Sequence, residues 1–341
     1  MVRFTVLEPW QDPRGGEIER VRLDNGQLAI EVLSLGGIIR SLWTPDSHGE
    51  RANIVLGCDS AEDYLTQQAH LGAIAGRFAN RIAGGKLEFN GQHYHLDINQ
   101  TSNCLHGGRE GFNRKNWHLG LLPDGARLTL RSPDGDMGFP GNCTVQLDYR
   151  LVANNLFVEI MAATDKACPV SLTQHSYFNL DGEADCANHR VAIHANHYLE
   201  TDTTGIPTGT LAVEGTALDL RRADCLGNRR SHSTLTSTRG FDHCYLLGNK
   251  GELTLAATLL SPSSGRQLKL YTNQPAIQLY GANFLGGEAG RGGRIYSPYQ
   301  GVCLEPQLPP DSPNQPALGK SWLLPDEVYH HISRYQFDAL K

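Results

Sequence analysis

The sequence predicts a mainly β fold, a large antiparallel β-sandwich, and three observations predict it. Short runs with strand alternation or β-branched enrichment recur along the chain, turn residues interrupt them every ~8 to 15 residues, and helical periodicity is scarce. The clearest runs are residues 28–33, 127–130, 144–149, 156–160 and 267–271. The 37 glycines and 17 prolines gather between such runs, as in residues 134–141, where Gly and Asp supply the backbone angles of tight turns. One short helix is expected over residues 60–66, with Ser60 as N-cap and Glu62 and Asp63 in its first turn. There is no βαβ alternation, and no glycine motif opens a helix after a strand, which excludes Rossmann and TIM-barrel architectures. No internal repeat, low-complexity tract or long linker divides the chain, so a single domain spanning residues 1–341 is expected.

Hydrophobic residues make up 40% of the 341 and charged ones 19%, enough apolar material for a sizeable core and too little charge for disorder. The formal charge is −6, and the 30 Lys and Arg are scattered, so nucleic acid is not an expected partner. The N-terminal residues carry no basic segment followed by an apolar run, and no stretch is long and apolar enough to span a bilayer. A cytoplasmic protein, monomeric or homodimeric, with no membrane partner is expected. Eight cysteines are spread without a Cys-x-x-Cys pair, which argues for reduced, mostly buried thiols and against a disulfide framework or structural zinc.

Four segments put polar groups where an apolar strand or turn would otherwise stand. In Thr173-Gln174-His175-Ser176-Tyr177-Phe178-Asn179-Leu180, a strand would align Thr173, His175 and Tyr177 on one face, either lining a pocket or facing water. In Asn103-Cys104-Leu105-His106-Gly107-Gly108, His106 precedes a glycine pair where backbone can approach a ligand; alone, it reads better as a surface histidine. In Gly301-Val302-Cys303-Leu304-Glu305-Pro306-Gln307, Glu305 ends an apolar run and must be paired, shifted in pKa or open to a cleft. In Gly240-Phe241-Asp242-His243, Asp242 sits in a turn-like segment, where an Asx-turn role competes with a functional one. Arg77 and Arg81 add guanidinium donors, and Gln278 adds an amide. The pairs His93/His95 and His194/His197 lack an obvious third ligand, so no metal is expected, and His330 and His331 are expected on the surface.

Together with Gly76-Arg77-Phe78-Ala79-Asn80-Arg81-Ile82, these segments resemble, in order and over nearly the whole chain, the aldose 1-epimerase (galactose mutarotase) family. The chain differs at Gln174, where the family usually has Asn, and at Pro306, where Thr or Ser is frequent. The resemblance implies the galactose mutarotase-like supersandwich and a cofactor-free enzyme interconverting the α and β anomers of a free aldohexose such as galactose or glucose. It further implies Glu305 as general base, His175 as general acid, and Asn80, Arg81, His106, Tyr177, Asp242 and Gln278 as sugar-binding residues.

That chemistry needs a proton taken from the C1 hydroxyl while the ring oxygen gains one, with acid and base expected on opposite sides of C1. A carboxylate beside the imidazole is expected to favour its charged form. Three other activities compete. A glycoside hydrolase would use Asp242 and Glu305 as its carboxylate pair. A non-catalytic sugar-binding module would need exposed aromatic platforms, and only 8% of the chain is aromatic. A hexose-phosphate epimerase would draw on Arg77, Arg81 and Arg109.

Overall fold

A computed structural model describes residues 1–182, 185–249 and 251–340. Three antiparallel sheets dominate. The chain begins with a five-stranded meander, Arg3–Gln11, Glu17–Asp24, Ala29–Leu33, Ile39–Pro45 and Arg51–Asn53. A nine-stranded sheet follows, in which the C-terminal strand Tyr329–Ala339 inserts between Asn155–Thr164 and Arg266–Thr272. A six-stranded sheet carries Tyr177–Phe178, Val302–Gln307, Ala276–Tyr280, Asp242–Leu246, His197–Thr201 and Pro207–Ala212, in that order.

The expected strand runs all fall inside observed strands, apart from Leu28 at the edge of one, and the burial pattern of Asn155–Thr164 alternates as a half-buried strand should. One buried cluster takes Val21 and Ile30 from the first sheet, Leu147, Ile160 and Leu270 from the second, and Ile277 and Leu304 from the third. Burying each such side chain contributes about 1.5–3 kcal/mol, which is what holds the layers together. The expected helix is Ala61–Thr66, and the Ser60 hydroxyl accepts the Asp63 N–H as its cap. A second short helix, Leu226–Arg230, had no signal in the sequence pattern. All eight cysteines are free, and seven are buried.

His331 corrects an expectation. It is buried, not exposed, because its place on Tyr329–Ala339 turns it inward, where its ring nitrogens lie 2.8 Å from the Leu172 carbonyl oxygen and 2.8 Å from Ser333 Oγ. Burial holds its pKa down at about 4. His330 is exposed, as expected.

Candidate active site

One wall of the site follows from strand register. Gln278 lies opposite Glu305 on one side and opposite Cys244 on the other, and Tyr280, two residues on, lies opposite Asp242. Cross-strand partners and i, i+2 neighbours share a face, so Glu305, Gln278 and Asp242 point the same way from three adjacent strands. Tyr177 joins them, since it pairs with Cys303, two residues before Glu305. Gln278 Nε2 donates to Asp242 Oδ1 at 2.6 Å, and the Gln278 Oε1 and Glu305 Oε2 atoms are buried with no hydrogen bond.

The opposite wall is irregular. His70, Asn80 and His106 have φ of 55°, 67° and 51°, a left-handed conformation that non-glycine residues seldom adopt and that surrounding contacts must hold. The His106 N–H donates to the Asn80 carbonyl (3.0 Å), and the Asn80 N–H donates back to His106 Nδ1 (3.1 Å). With Nδ1 accepting, the neutral ring carries its proton on Nε2. Gly107 follows at φ +90°, and a Cβ there would lie 2.0 Å from the Gly76 carbonyl oxygen, so only glycine lets the two loops touch. Arg81 is steered by Nε donating to Gln100 Oε1 (2.7 Å), and its Nη2 stands 3.9 Å from Asp242 Oδ2, tying the two walls together.

His175 closes the floor. Its backbone is clamped by its own N–H donating to Ala73 O and by the Gly72 N–H donating to His175 O, both at 2.9 Å. The ring stacks on Tyr177 (centroids 5.1 Å apart, 20° between planes) and meets His106 edge-on at 5.3 Å. Its Nε2 lies 3.5 Å from Glu305 Oε2.

Electrostatics corrects the expectation that the carboxylate would keep this imidazole charged. Burial comes first and the neighbouring His70 ring second, and together they hold the His175 pKa at about 3. Burial, reinforced by Asp242, pushes the Glu305 carboxyl well above its ordinary range, with Arg81 only partly opposing. In a site this dry, desolvation outweighs the attraction between the partners, so the empty pair favours the state with both groups neutral.

The eight residues expected to be catalytic or sugar-binding all line one cavity of about 790 Å³. Several details differ from expectation. His106 is buried, because the Asn80 contact folds its loop inward. Residues 173–177 are not one strand: Thr173–Gln174 and Tyr177–Phe178 pair with different partners, and the break between them aims His175 into the cavity while Thr173 is buried away from it. Asp242 heads a strand instead of a turn. Arg77 is 2% exposed and donates to the Ser132, Pro133, Pro140 and Gly141 carbonyls, while Arg109 pairs with Asp97 at 2.7 Å; neither lines the cavity. His70 was missed. It lies 4.7 Å from the His106 ring with Nδ1 buried and unpaired, and only its place before Leu71-Gly72 in a turn hinted at it.

One nitrogen from each of His106 and His175 and an oxygen of Glu305 lie within 4.8 Å of one another, close enough to suggest a metal ion. The Asn80 N–H argues against it. Metal-bound histidine donates a hydrogen through its other nitrogen, and His106 Nδ1 accepts one instead, which keeps a proton on the nitrogen that would bind. The wiring suits hydrogen-bond donation to a ligand oxygen.

A three-sheet antiparallel sandwich with a buried imidazole–carboxylate pair under a polar cavity defines an acid–base enzyme of sugar-sized ligands. The family model "Aldose 1-epimerase" matches residues 19–336, and the chain belongs to that family. It is 41% identical to galactose mutarotase of Rattus norvegicus over 329 residues, covering 95% of both chains. It is 40% identical to aldose 1-epimerase of Escherichia coli over 324 residues, covering 93% of this chain and 94% of the other. Among solved structures, the galactose 1-epimerase of Lactobacillus acidophilus aligns with a TM-score of 0.84 at 29% identity, covering 99% of this chain and 98% of that one.

Proposed function

We propose that this chain is a mutarotase that interconverts the α and β anomers of a free aldohexose such as galactose or glucose, with Glu305 as base and His175 as acid. The observation that carries the assignment of roles is the buried pair itself, His175 Nε2 3.5 Å from Glu305 Oε2 on the cavity floor. The hydroxyl oxygen and the ring oxygen of a cyclic sugar hang on the same carbon, C1. Two catalytic atoms lying side by side can therefore reach both, and they need not flank C1 from opposite sides.

The protons balance without loss. In the reactive state of the bound ring the pair's proton has passed from Glu305 to His175; the ionised Glu305 then takes the O1 proton, His175 gives one to the ring oxygen, and the C1–O5 bond breaks. The open-chain aldehyde then faces a neutral Glu305 and a neutral His175. Rotation about C1–C2 and the reverse transfers close the ring on the other face. Because burial favours the neutral pair, the site stabilises the protonation state that accompanies the opened ring, and each transfer contributes about 10²- to 10⁴-fold to the rate. Asn80, Arg81, His106, Tyr177, Asp242 and Gln278 are proposed to hold the sugar: the His106 Nε2–H and Arg81 donate, and Asp242 accepts.

The lining favours a neutral sugar over a phosphorylated one. It holds five carboxylates, Glu200, Asp202, Asp242, Glu288 and Glu305, and among the described residues Arg81 is its one Lys or Arg. Glu305 has an imidazole, His175, 3.5 Å away, the acid partner that ring opening needs, which favours epimerisation over glycoside hydrolysis. No helix among the described residues is long and apolar enough to cross a membrane. Eight unpaired cysteines support a reducing compartment such as the cytoplasm, with residues 1–341 acting as one catalytic unit. Polarimetry on freshly dissolved α-D-galactose and α-D-glucose tests the proposal: relaxation is expected to accelerate in proportion to protein, and an uncatalysed rate would defeat it.

A further inference from the structure

The acid of the proposed pair lacks the usual means of orientation. A catalytic imidazole is commonly held by a hydrogen bond on the nitrogen that faces away from the reaction. In His175 that nitrogen is Nδ1, and it is buried with no hydrogen bond among the described residues. The backbone bonds to residues 72 and 73 fix its main chain but not the rotation of its ring.

What packs against the ring is aromatic. Tyr177 lies nearly parallel to it (20°, centres 5.1 Å apart), His70 lies nearly parallel to it as well (21°, 6.0 Å), and His106 meets it edge-on at 5.3 Å. All three separations fall in the range favoured by aromatic pairs. His70 Nδ1 is likewise buried and unpaired, so this ring packs by its faces and not through a bond at that atom.

The turn that carries His70 is laced to the acid's own segment. The Tyr177 hydroxyl donates to the Ala69 carbonyl oxygen (2.8 Å), Gln174 Nε2 donates to the Gly72 carbonyl oxygen (2.8 Å), and the Ala73 N–H donates to the His70 carbonyl oxygen (3.0 Å). These bonds hold His70 at φ +55° and set its ring against two others, that of His175 and, at 4.7 Å, that of His106. A left-handed residue fastened in place by the catalytic segment points to a role in the site.

Resting on the mutarotase assignment, we infer that His70 is a positioning residue for the acid: its ring, with those of Tyr177 and His106, boxes the His175 imidazole so that Nε2 stays on Glu305 and on the ring oxygen of the sugar. His70 does this by the face of its ring and moves no proton.

The test is polarimetric kinetics on fresh α-D-galactose and α-D-glucose with the full chain and with His70→Ala, His70→Gln and His70→Phe, each checked for folding by thermal melting. All three replacements stand at the same positive φ, so differences among them read the ring. His70→Ala is expected to lower kcat by about 10- to 100-fold, the scale of a misplaced catalytic group, with KM changed by less than about threefold. His70→Gln keeps a polar group without a ring and is expected to lose about as much as alanine. His70→Phe keeps a ring without nitrogens and is expected to return kcat to within about fivefold of the parent. If His70→Ala does not fold, the contrast between phenylalanine and glutamine decides alone. Parent-like kcat in His70→Ala or His70→Gln, a loss seen only in KM, or a His70→Phe as slow as His70→Gln would overturn the positioning role and leave the mutarotase assignment standing. No acceleration by the parent chain would defeat that assignment and the role of His70 with it.

Discussion

The two walls of the cavity are built on different principles. The strand wall sets Glu305, Gln278 and Asp242 by register, so a period of two residues and three adjacent strands determine where each side chain points. The loop wall sets His70, Asn80 and His106 by left-handed backbone that only long-range contacts can hold, such as the exchange between Asn80 and His106. The difference teaches that the sheet places the base Glu305 with Gln278 and Asp242, whereas the acid His175 stands at a strand break clamped by the backbone of residues 72 and 73, and the loops shape and dry the space in front of the pair.

The sharpest way to probe this division is at Glu305. Glu305→Gln keeps the size of the side chain and its strand but cannot take a proton. It is expected to lose at least about a thousandfold in kcat, or ~4 kcal/mol of transition-state stabilisation, with little change in KM. Polarimetric kinetics measures it, and near-normal turnover would move the base elsewhere.

The same contrast explains what was legible in the sequence. Glu305 stands out because a carboxylate inside Val302–Gln307 violates the apolar pattern of a buried strand, and the structure shows all six residues of that strand buried. His106 reads as a surface residue when judged alone, because nothing local reveals that Asn80, 26 positions away, will fold it inward. Arg77 and Arg81 look equivalent four residues apart, yet one side chain turns into the core and the other into the cavity. His70 escaped altogether, since a histidine in a turn carries no periodicity. Strand pairing across the three sheets was legible only as a class, because register depends on partners far along the chain.

Arg77 tests what supports the loop wall. Its guanidinium satisfies carbonyls from residues 132, 133, 140 and 141 as well as Ser132 Oγ (2.5 Å). Arg77→Met fills the volume but leaves those buried acceptors bare, and a loss of about 3 kcal/mol in unfolding free energy is expected. Denaturant titration measures it; a loss below about 1 kcal/mol would show that water replaces the guanidinium.

A smaller effect should appear with pH. Burial, with Arg114 adding to it, holds the pKa of His70 at about 4, against ~6.5 in the unfolded chain. Below pH ~6.5 the unfolded chain takes up this proton first, so the stability from keeping His70 neutral is complete above 6.5 and lost as pH falls to about 4. The slope is at most about 1.4 kcal/mol per pH unit, and His70→Gln is expected to remove that share of it. Unfolding curves at pH 7, 6 and 5 decide the matter, and a slope equal in both proteins would mean that His70 is hydrated or partnered in solution.

The smallest expected effect isolates the backbone conformation itself. Asn80 stands at φ +67° and its Oδ1 accepts the Arg81 N–H at 3.0 Å. Asn80→Gly and Asn80→Ala both delete that bond and the proposed sugar contact, so they differ only in what a Cβ costs at positive φ. Alanine should be the less stable of the two by about 1 kcal/mol, a difference opposite in sign to that in a regular strand or helix, where glycine is the weaker residue. Paired thermal melts measure it. Alanine matching or exceeding glycine would mean that the loop relaxes out of its left-handed turn when Asn80 is lost, and that the Asn80 side chain, not the packing around it, holds the loop wall in place.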